Sequence, residues 1–339
     1  MKVAPHAALI DTSPLPEGWS PLEIVEDTIL VEGALLHRAG LASVGPEGEE
    51  VTGSGAEASA SPVRRGYFEL LERVSTLEAL RRKRPFYTLV TEEETPVGRE
   101  AGTTVFPESE DPARWRYARS NGVALHASWQ TACERAKWEL AERDRILRSW
   151  YGAIRPIRVA FPPSSPLVSV ATYDWCAYAF PEPDAASFSS GVEVAGVFGF
   201  PRLHGAPLVM GFGARDDAEG ALEAAETEAT QLLAFLWGEP SPDAAPEMGP
   251  TPVHHIDRFQ WRPNHGQLRE WLGGAHEGHA PRSSPRVRGE TAFVDLTPDW
   301  LRGGLRVAKA VCTSATPLTF GDSPFGGHLP PELRPHPIG

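Results

Sequence analysis

Glu69-Leu70-Leu71-Glu72-Arg73 and Glu139-Leu140-Ala141-Glu142-Arg143 repeat one pattern, E-x-x-E-R, seventy positions apart. Residues three apart on a helix are surface neighbours, about 5–6 Å between Cβ atoms. Each copy therefore sets two carboxylates side by side, with a guanidinium following. Two such helices packed together would bring four carboxylates and two guanidiniums into one cleft. Mg²⁺ prefers oxygen ligands and takes one or two carboxylates plus substrate phosphates. The forked guanidinium suits phosphate. The pattern suggests a Mg-nucleotide site with no glycine-rich phosphate loop. One copy alone reads as a solvated helix face; two copies in similar apolar frames weigh against that.

Working outward, Phe68, Leu71, Val74, Leu77 and Leu80 recur at helical spacing and predict a helix over 63–83, ended by Pro85. Ser128 as N-cap, with Trp129, Ala132, Ala136 and Leu140 as the buried stripe, predicts a second over 128–151. A third, over 216–237, carries Ala221, Ala224 and Ala225 together with Glu228 and Gln231. Strands are predicted at 28–36, 86–91, 157–161, 167–173, 192–200, 293–296 and 305–311. Residues 44–62, with Gly53-Ser54-Gly55, read as a loop, 92–113 as an acidic surface excursion and 238–252 as a linker before a short helix near 267–272. Long helices laid between antiparallel-type strands predict an α+β fold with mixed/antiparallel sheets. The organisation expected is an irregular segment 1–26, a catalytic domain 27–316 and a Pro-rich tail 317–339.

The chain has 339 residues, 41% of them hydrophobic, enough for a sizeable core. Its net charge of −13 argues against non-specific nucleic-acid binding, which needs basic surface, though not against a nucleotide. Cys133, Cys176 and Cys312 are scattered and odd in number, as in a reduced cytoplasmic protein. The N-terminus Met1-Lys2-Val3-Ala4-Pro5 has no signal-peptide core. No apolar run approaches the ~18 residues that span a bilayer.

These blocks together resemble the YcaO family. Gly66 through Ser75 resembles its first glutamate helix. Ser120-Asn121-Gly122-Val123-Ala124, Ala132 and then Glu139 through Asp144 resemble its second block. Ala221-Leu222 with Glu228 and Gln231 is similar to its third helix, and Leu305 through Val311 to its late strand. The resemblance covers roughly residues 27–339. It implies long glutamate-bearing helices forming a non-P-loop ATP cleft, with ATP and Mg²⁺ as cofactors. It implies phosphorylation of a peptide amide oxygen, most readily cyclodehydration of Cys, Ser or Thr to an azoline (thiazoline or oxazoline) in a ribosomally made peptide; thioamide or amidine formation is the variant. Glu69, Glu72, Glu139 and Glu142 would hold Mg²⁺. Arg73 and Arg143 would contact phosphate or form plain ion pairs. Ser120, Asn121 and Glu228 would contact the nucleotide, and Lys309, Gln231 and His336 would serve catalysis. A peptide substrate, a separate leader-binding partner protein and a homodimer are the partners implied. A scaffold or regulatory subunit without catalysis is the reading from another class.

The chain departs from the family at four places. Gly53-Ser54-Gly55-Ala56-Glu57 stands where a Lys-containing Gly-rich segment is frequent, Arg64 and Arg65 where small residues are usual, Lys309 where Arg is frequent, and Cys312-Thr313-Ser314-Ala315 where Pro-Gly-Leu is common. Pro335-His336-Pro337-Ile338-Gly339 partly echoes a terminal run of alternating prolines. Other motifs carry less. His254-His255 would point apart in an extended strand, and His276-Glu277-Gly278-His279 lacks the H-E-x-x-H spacing of zinc peptidases. There is no G-x-S-x-G elbow, and Gly211-Phe212-Gly213 lacks the rest of a dinucleotide fingerprint.

Overall fold

A computed structural model describes residues 15–161, 165–182, 188–276, 291–326 and 334–339. In chain order the strands are β1 (Glu23–Val31), β2 (Ala34–Val44), β3 (Glu50–Glu57), β4 (Phe86–Val90), β5 (Pro96–Ala101), β6 (Trp115–Tyr117), β7 (Val123–His126), β8 (Ile157–Val159), β9 (Tyr173–Ala179), β10 (Glu193–Pro201), β11 (Val209–Arg215), β12 (Ala292–Asp295), β13 (Arg306–Val311) and β14 (Thr319–Gly321). The α-helices are α1 (Val63–Arg81), α2 (Gly102–Val105), α3 (Trp129–Trp150), α4 (Ala218–Leu236), α5 (Pro252–Gln260) and α6 (His265–Leu272). The chain divides into two compact units: one of residues up to Val105 with Gly122–Ala136 and Ala292–Val311, the other of Phe106–Asn121, Lys137–Thr291 and Cys312–Gly339. The fold is α+β, and every paired strand is antiparallel to its neighbour.

In the first unit, β1, β2 and β3 form a meander. The single strand predicted over 28–36 is instead a hairpin, turning at Glu32 and Gly33 with φ of 48° and 96°. Two positive φ values make a tight hairpin turn whose usual sign is Asn-Gly or Asp-Gly; the Glu hid it. The loop predicted over 44–62 contains β3. Its glycines serve packing. A Cβ on Gly53 would lie 2.0 Å from the Gly66 carbonyl oxygen of α1, and one on Gly55 would lie 2.8 Å from that of Pro62. Helix α1 consequently rests directly on the strand. Its buried stripe runs through Gly66, Tyr67, Leu70, Leu71 and Val74, rotated from the expected Phe68, Leu77 and Leu80. The second sheet has the order β5-β4-β12-β13-β7. The excursion expected over 92–113 includes β5 and α2.

In the second unit the sheet order is β11-β10-β9-β8, with β14 and β6 paired apart. Helix α4 turns Ala221, Ala225 and Ala229 onto β11. A Cβ on Gly211 would meet the Ala229 nitrogen at 2.2 Å, and one on Gly213 the Ala221 carbonyl oxygen at 2.4 Å. Only glycine allows this spacing. Trp150, Trp271, Phe180 and Phe259 form an aromatic core with centroid separations of 5.2–5.7 Å, and the Trp271 indole donates to Ser149 Oγ. The strand predicted over 167–173 is a 3₁₀ turn, Pro166–Ser169, capped by Ser165, and β9 begins only at Tyr173. Helix α5, opened by Pro252, begins where the predicted linker 238–252 ends, in a stretch to which the sequence reading assigned no helix. His254 and His255 lie on it and not on a strand, with His255 buried. No helix among the described residues is long and apolar enough to cross a membrane.

Candidate functional site

Glu69 and Glu72 of the first motif, and Glu228 of α4, sit at sheet edges. β3 is an edge strand, and Glu69 Oε2 accepts from Ser54 N at 2.7 Å and from Ser54 Oγ at 3.3 Å. Arg73 pairs with the other oxygen of Glu69 at 2.6 Å and donates to the Thr52 carbonyl. β7 is also an edge, and Glu72 accepts from Leu125 N at 3.0 Å. β11 is a third, and Glu228 of α4 accepts from Phe212 N at 2.6 Å. An edge N–H lacks a ladder partner. In each case a carboxylate supplies one, and a charged acceptor makes a stronger bond than a neutral one. Arg73, left open between phosphate and ion pair by the sequence, forms the ion pair.

Glu142 differs. It is 8% exposed, and its nearest recorded cation is Arg143, 3.4 Å away. Burial pushes its carboxyl up to about 8; Arg143 and Arg215 draw it down, while Glu228 and Glu139 push it further up. Burial works against the charge of Arg143, but Glu142, Glu228 and Glu139 outweigh it and raise its pKa. The second unit thus gathers Glu139, Glu142, Glu228, Arg143 and Arg215 into one electrostatic cluster. Asp144, which continues the motif, is structural: fully buried, it accepts from Thr316 N at 2.6 Å and pairs with Arg148 at 2.8 Å. Arg145 is likewise buried, donating to the Ser189 and Phe180 carbonyls.

Gln231 lies on α4 one turn beyond Glu228, in the same unit. His336 is 1% exposed. Its Nε2 lies 2.7 Å from the Thr319 carbonyl, so Nε2 carries the proton and donates. Nδ1 is then the acceptor, and no partner is recorded for it among the described residues. The His336 carbonyl accepts from His255 Nδ1 at 3.0 Å, while His255 Nε2 accepts from Gly321 N. Burial, together with the nearby charge of Arg143, lowers the His336 pKa to about 4. Ser120 and Asn121 precede Gly122, whose φ of 71° makes the predicted turn. Glu69, Glu72, Arg73 and Lys309 belong to the first unit. Lys309 is 5% exposed on β13, opposite Val294 and Val123.

Sequence reasoning missed Arg215, whose charge reaches Glu142, and Trp138, whose ring centroid lies 4.9 Å from Arg215 Cζ. A lone Arg at a strand end has no periodic signature, and Trp138 was read only as part of a helix. Among the described residues no three His, Cys, Asp or Glu side chains form a self-sufficient metal site. The donor chemistry nevertheless fits Mg²⁺ held jointly by carboxylate and phosphate: Glu142 is a desolvated oxygen donor flanked by two further carboxylates, and a divalent cation would stabilise its ionised form. His276 of the other histidine motif is structural, bonded to the Trp150 carbonyl at 2.7 Å; Glu277, Gly278 and His279 lie outside the described residues.

The family model described as YcaO cyclodehydratase, ATP- and Mg²⁺-binding, matches residues 80–313. That range holds Glu139, Glu142, Arg143, Arg215, Glu228, Gln231 and Lys309; it excludes Glu69, Glu72, Arg73 and His336. Among solved structures, YcaO from Methanopyrus kandleri bound with AMPPCP and Mg²⁺ is similar at a TM-score of 0.56 and 20% identity, over 87% of this chain and 86% of that one. A heterocyclase in complex with substrate and cofactor matches at 0.57 and 18%; 87% of this chain spans 49% of it. The E. coli microcin synthetase McbBCD complex with pro-MccB17 bound matches at 0.55 and 9%, over 85% and 87%. At these identities the likeness concerns the fold. No curated protein matches the sequence.

Proposed function

Because the chain belongs to the YcaO family, with ATP and Mg²⁺ as its cofactors, we propose that it activates a peptide backbone amide, with cyclodehydration of Cys, Ser or Thr to an azoline as the reaction. The observation that carries this is Glu142: buried, flanked by Glu139 and Glu228, with a pKa pushed up to about 8. A protein keeps such a costly group where it meets a cation.

Glu139 and Glu142 would hold Mg²⁺ and Glu228 the nucleotide, with Arg143 neutralising charge on phosphate. Glu69 and Glu72, in the first unit, are assigned as Mg²⁺ ligands on the motif they share with the second pair, and Ser120 and Asn121 as nucleotide contacts. When bound, ATP supplies the phosphoryl group that turns the amide oxygen into a leaving group. The substrate side chain would add to the preceding carbonyl and so close the ring; the carbonyl oxygen would then leave as phosphate and the amide nitrogen would give up its proton to form the C=N bond, a net loss of water from the peptide. His336, neutral at Nδ1, accepts the proton of the attacking thiol or hydroxyl; Gln231 orients the peptide and Lys309 serves the anionic charge. Phosphoryl transfer needs mainly positioning and charge neutralisation, which this donor set provides. The substrate is a ribosomally made peptide, brought by a leader-binding partner protein.

The test is incubation with Mg-ATP and Cys- or Ser-containing peptides. Release of ADP and phosphate, with a peptide lighter by one water per turnover, is expected; ATP turnover with no change in peptide mass contradicts it. A second reading, a non-catalytic scaffold, draws support from Glu69, Glu72 and Glu228, each of which has an architectural use as an edge cap. It predicts that Glu142→Ala disrupts partner assembly in a protein with no measurable ATP turnover.

A further inference from the structure

Trp138 stands one helical turn before Glu142 on α3, so the two side chains are i, i+4 neighbours. Over the Trp138 ring lies a guanidinium, with Arg215 Cζ 4.9 Å from the centroid. That is inside cation–π range. Arg215 ends β11 where the chain turns into α4. Its stem packs against Gly220, where an added Cβ would come 3.2 Å from Arg215 Cγ. Asp217 fixes that turn by accepting from Gly220 N at 2.7 Å. The guanidinium also donates to the Ala214 carbonyl. Strand end, glycine and indole face together hold one cation beside the carboxylate cluster. Its charge reaches Glu142 and draws that carboxyl down.

We propose that Arg215 is a second cation for the polyphosphate of Mg-ATP, alongside Arg143, and that Trp138 is the positioning residue that aims it. The inference rests on the nucleotide reading above and deepens it. Arg143 already sits 3.4 Å from Glu142 and is partly engaged by it. A polyphosphate carries more negative charge than Mg²⁺ and one guanidinium offset, and a guanidinium matches phosphate oxygens bidentately.

The experiment is calorimetry on the full chain with Mg-ATP and with AMP. Arg215→Ala is expected to weaken Mg-ATP about ten- to a hundredfold, the range for one charge-assisted hydrogen bond, while AMP changes far less. Arg215→Lys recovers part of the loss. Trp138→Leu weakens Mg-ATP about three- to fivefold, and Trp138→Phe, which keeps a ring, stays near wild type. No Mg-ATP binding by the wild type sinks the nucleotide reading and this inference with it. Wild-type binding with an unchanged Arg215→Ala affinity, or with ATP and AMP losses that are equal, overturns the inference alone. Equal affinities for Trp138→Leu and Trp138→Phe remove Trp138 from it.

Discussion

The packing of α1 on β3 and that of α4 on β11 are the same construction made twice. Each sets an edge strand reading Gly-X-Gly under a helix, and each uses a helix glutamate to cap the N–H of X: Glu69 on Ser54 at 2.7 Å, Glu228 on Phe212 at 2.6 Å. Their surroundings differ. Glu69 is also paired with Arg73, at a site where both side chains are partly exposed. Glu228 adds its charge to buried Glu142 and to Glu139. One construction is closed by an ion pair; the other lies beside the carboxylate cluster around buried Glu142. The shared construction therefore sits in two settings, and burial of the capped residue, half-exposed Ser54 against buried Phe212, separates them.

The largest effect should come from the shared glycines. Gly53→Ala and Gly213→Ala both force a methyl against backbone and should each cost about 3 kcal/mol, the upper end of over-packing penalties. Gly40→Ala, with nothing within 4 Å of the added Cβ, is the neutral control; urea denaturation reads all three, and a similar loss there would break the comparison. Next, Glu228→Ala strands a buried N–H and should cost about 2 kcal/mol. Glu69→Ala strands a half-exposed one and should cost about 1 kcal/mol or less. Equal losses would mean that burial does not separate the two sites.

The third effect is a pH slope. The Glu142 carboxyl lies at about 8 in the folded chain against an ordinary 4.5, so the folded state holds a proton that the unfolded state has released. Stability of the ligand-free protein should fall as pH rises between those values. Glu142→Gln should flatten this slope and Glu69→Gln should not, as read by denaturation across that window. The smallest effect has the opposite sign. Burial lowers His255 well below 6.5 and His336 to about 4. Their contribution is intact above 6.5 and is lost as pH falls towards 4. His336→Gln should reduce the acid sensitivity of protease protection of the C-terminal residues.

Much of this is legible in the sequence. Apolar periodicity placed α1, α3 and α4 to within about two residues, the usual limit of helix boundaries. The E-x-x-E-R repeat led to Glu142, whose burial sequence alone could not distinguish from that of Glu69. β3 was invisible because its glycines serve a helix laid against them, while composition assigns glycine to loops. Asp144 read as an extension of the motif and is a buried tie to Thr316. Arg215 and Trp138 meet only through the fold, across 77 positions of sequence.

The most direct measurement is Mg-ATP binding by calorimetry, on the wild type and on Glu139→Ala/Glu142→Ala, with the fold checked by circular dichroism. Wild-type binding that requires Mg²⁺, releases about one proton near pH 7 as Glu142 ionises, and vanishes in a folded double mutant is the result expected. A folded double mutant that binds Mg-ATP as tightly as the wild type would contradict the assignment of the buried carboxylates to the nucleotide.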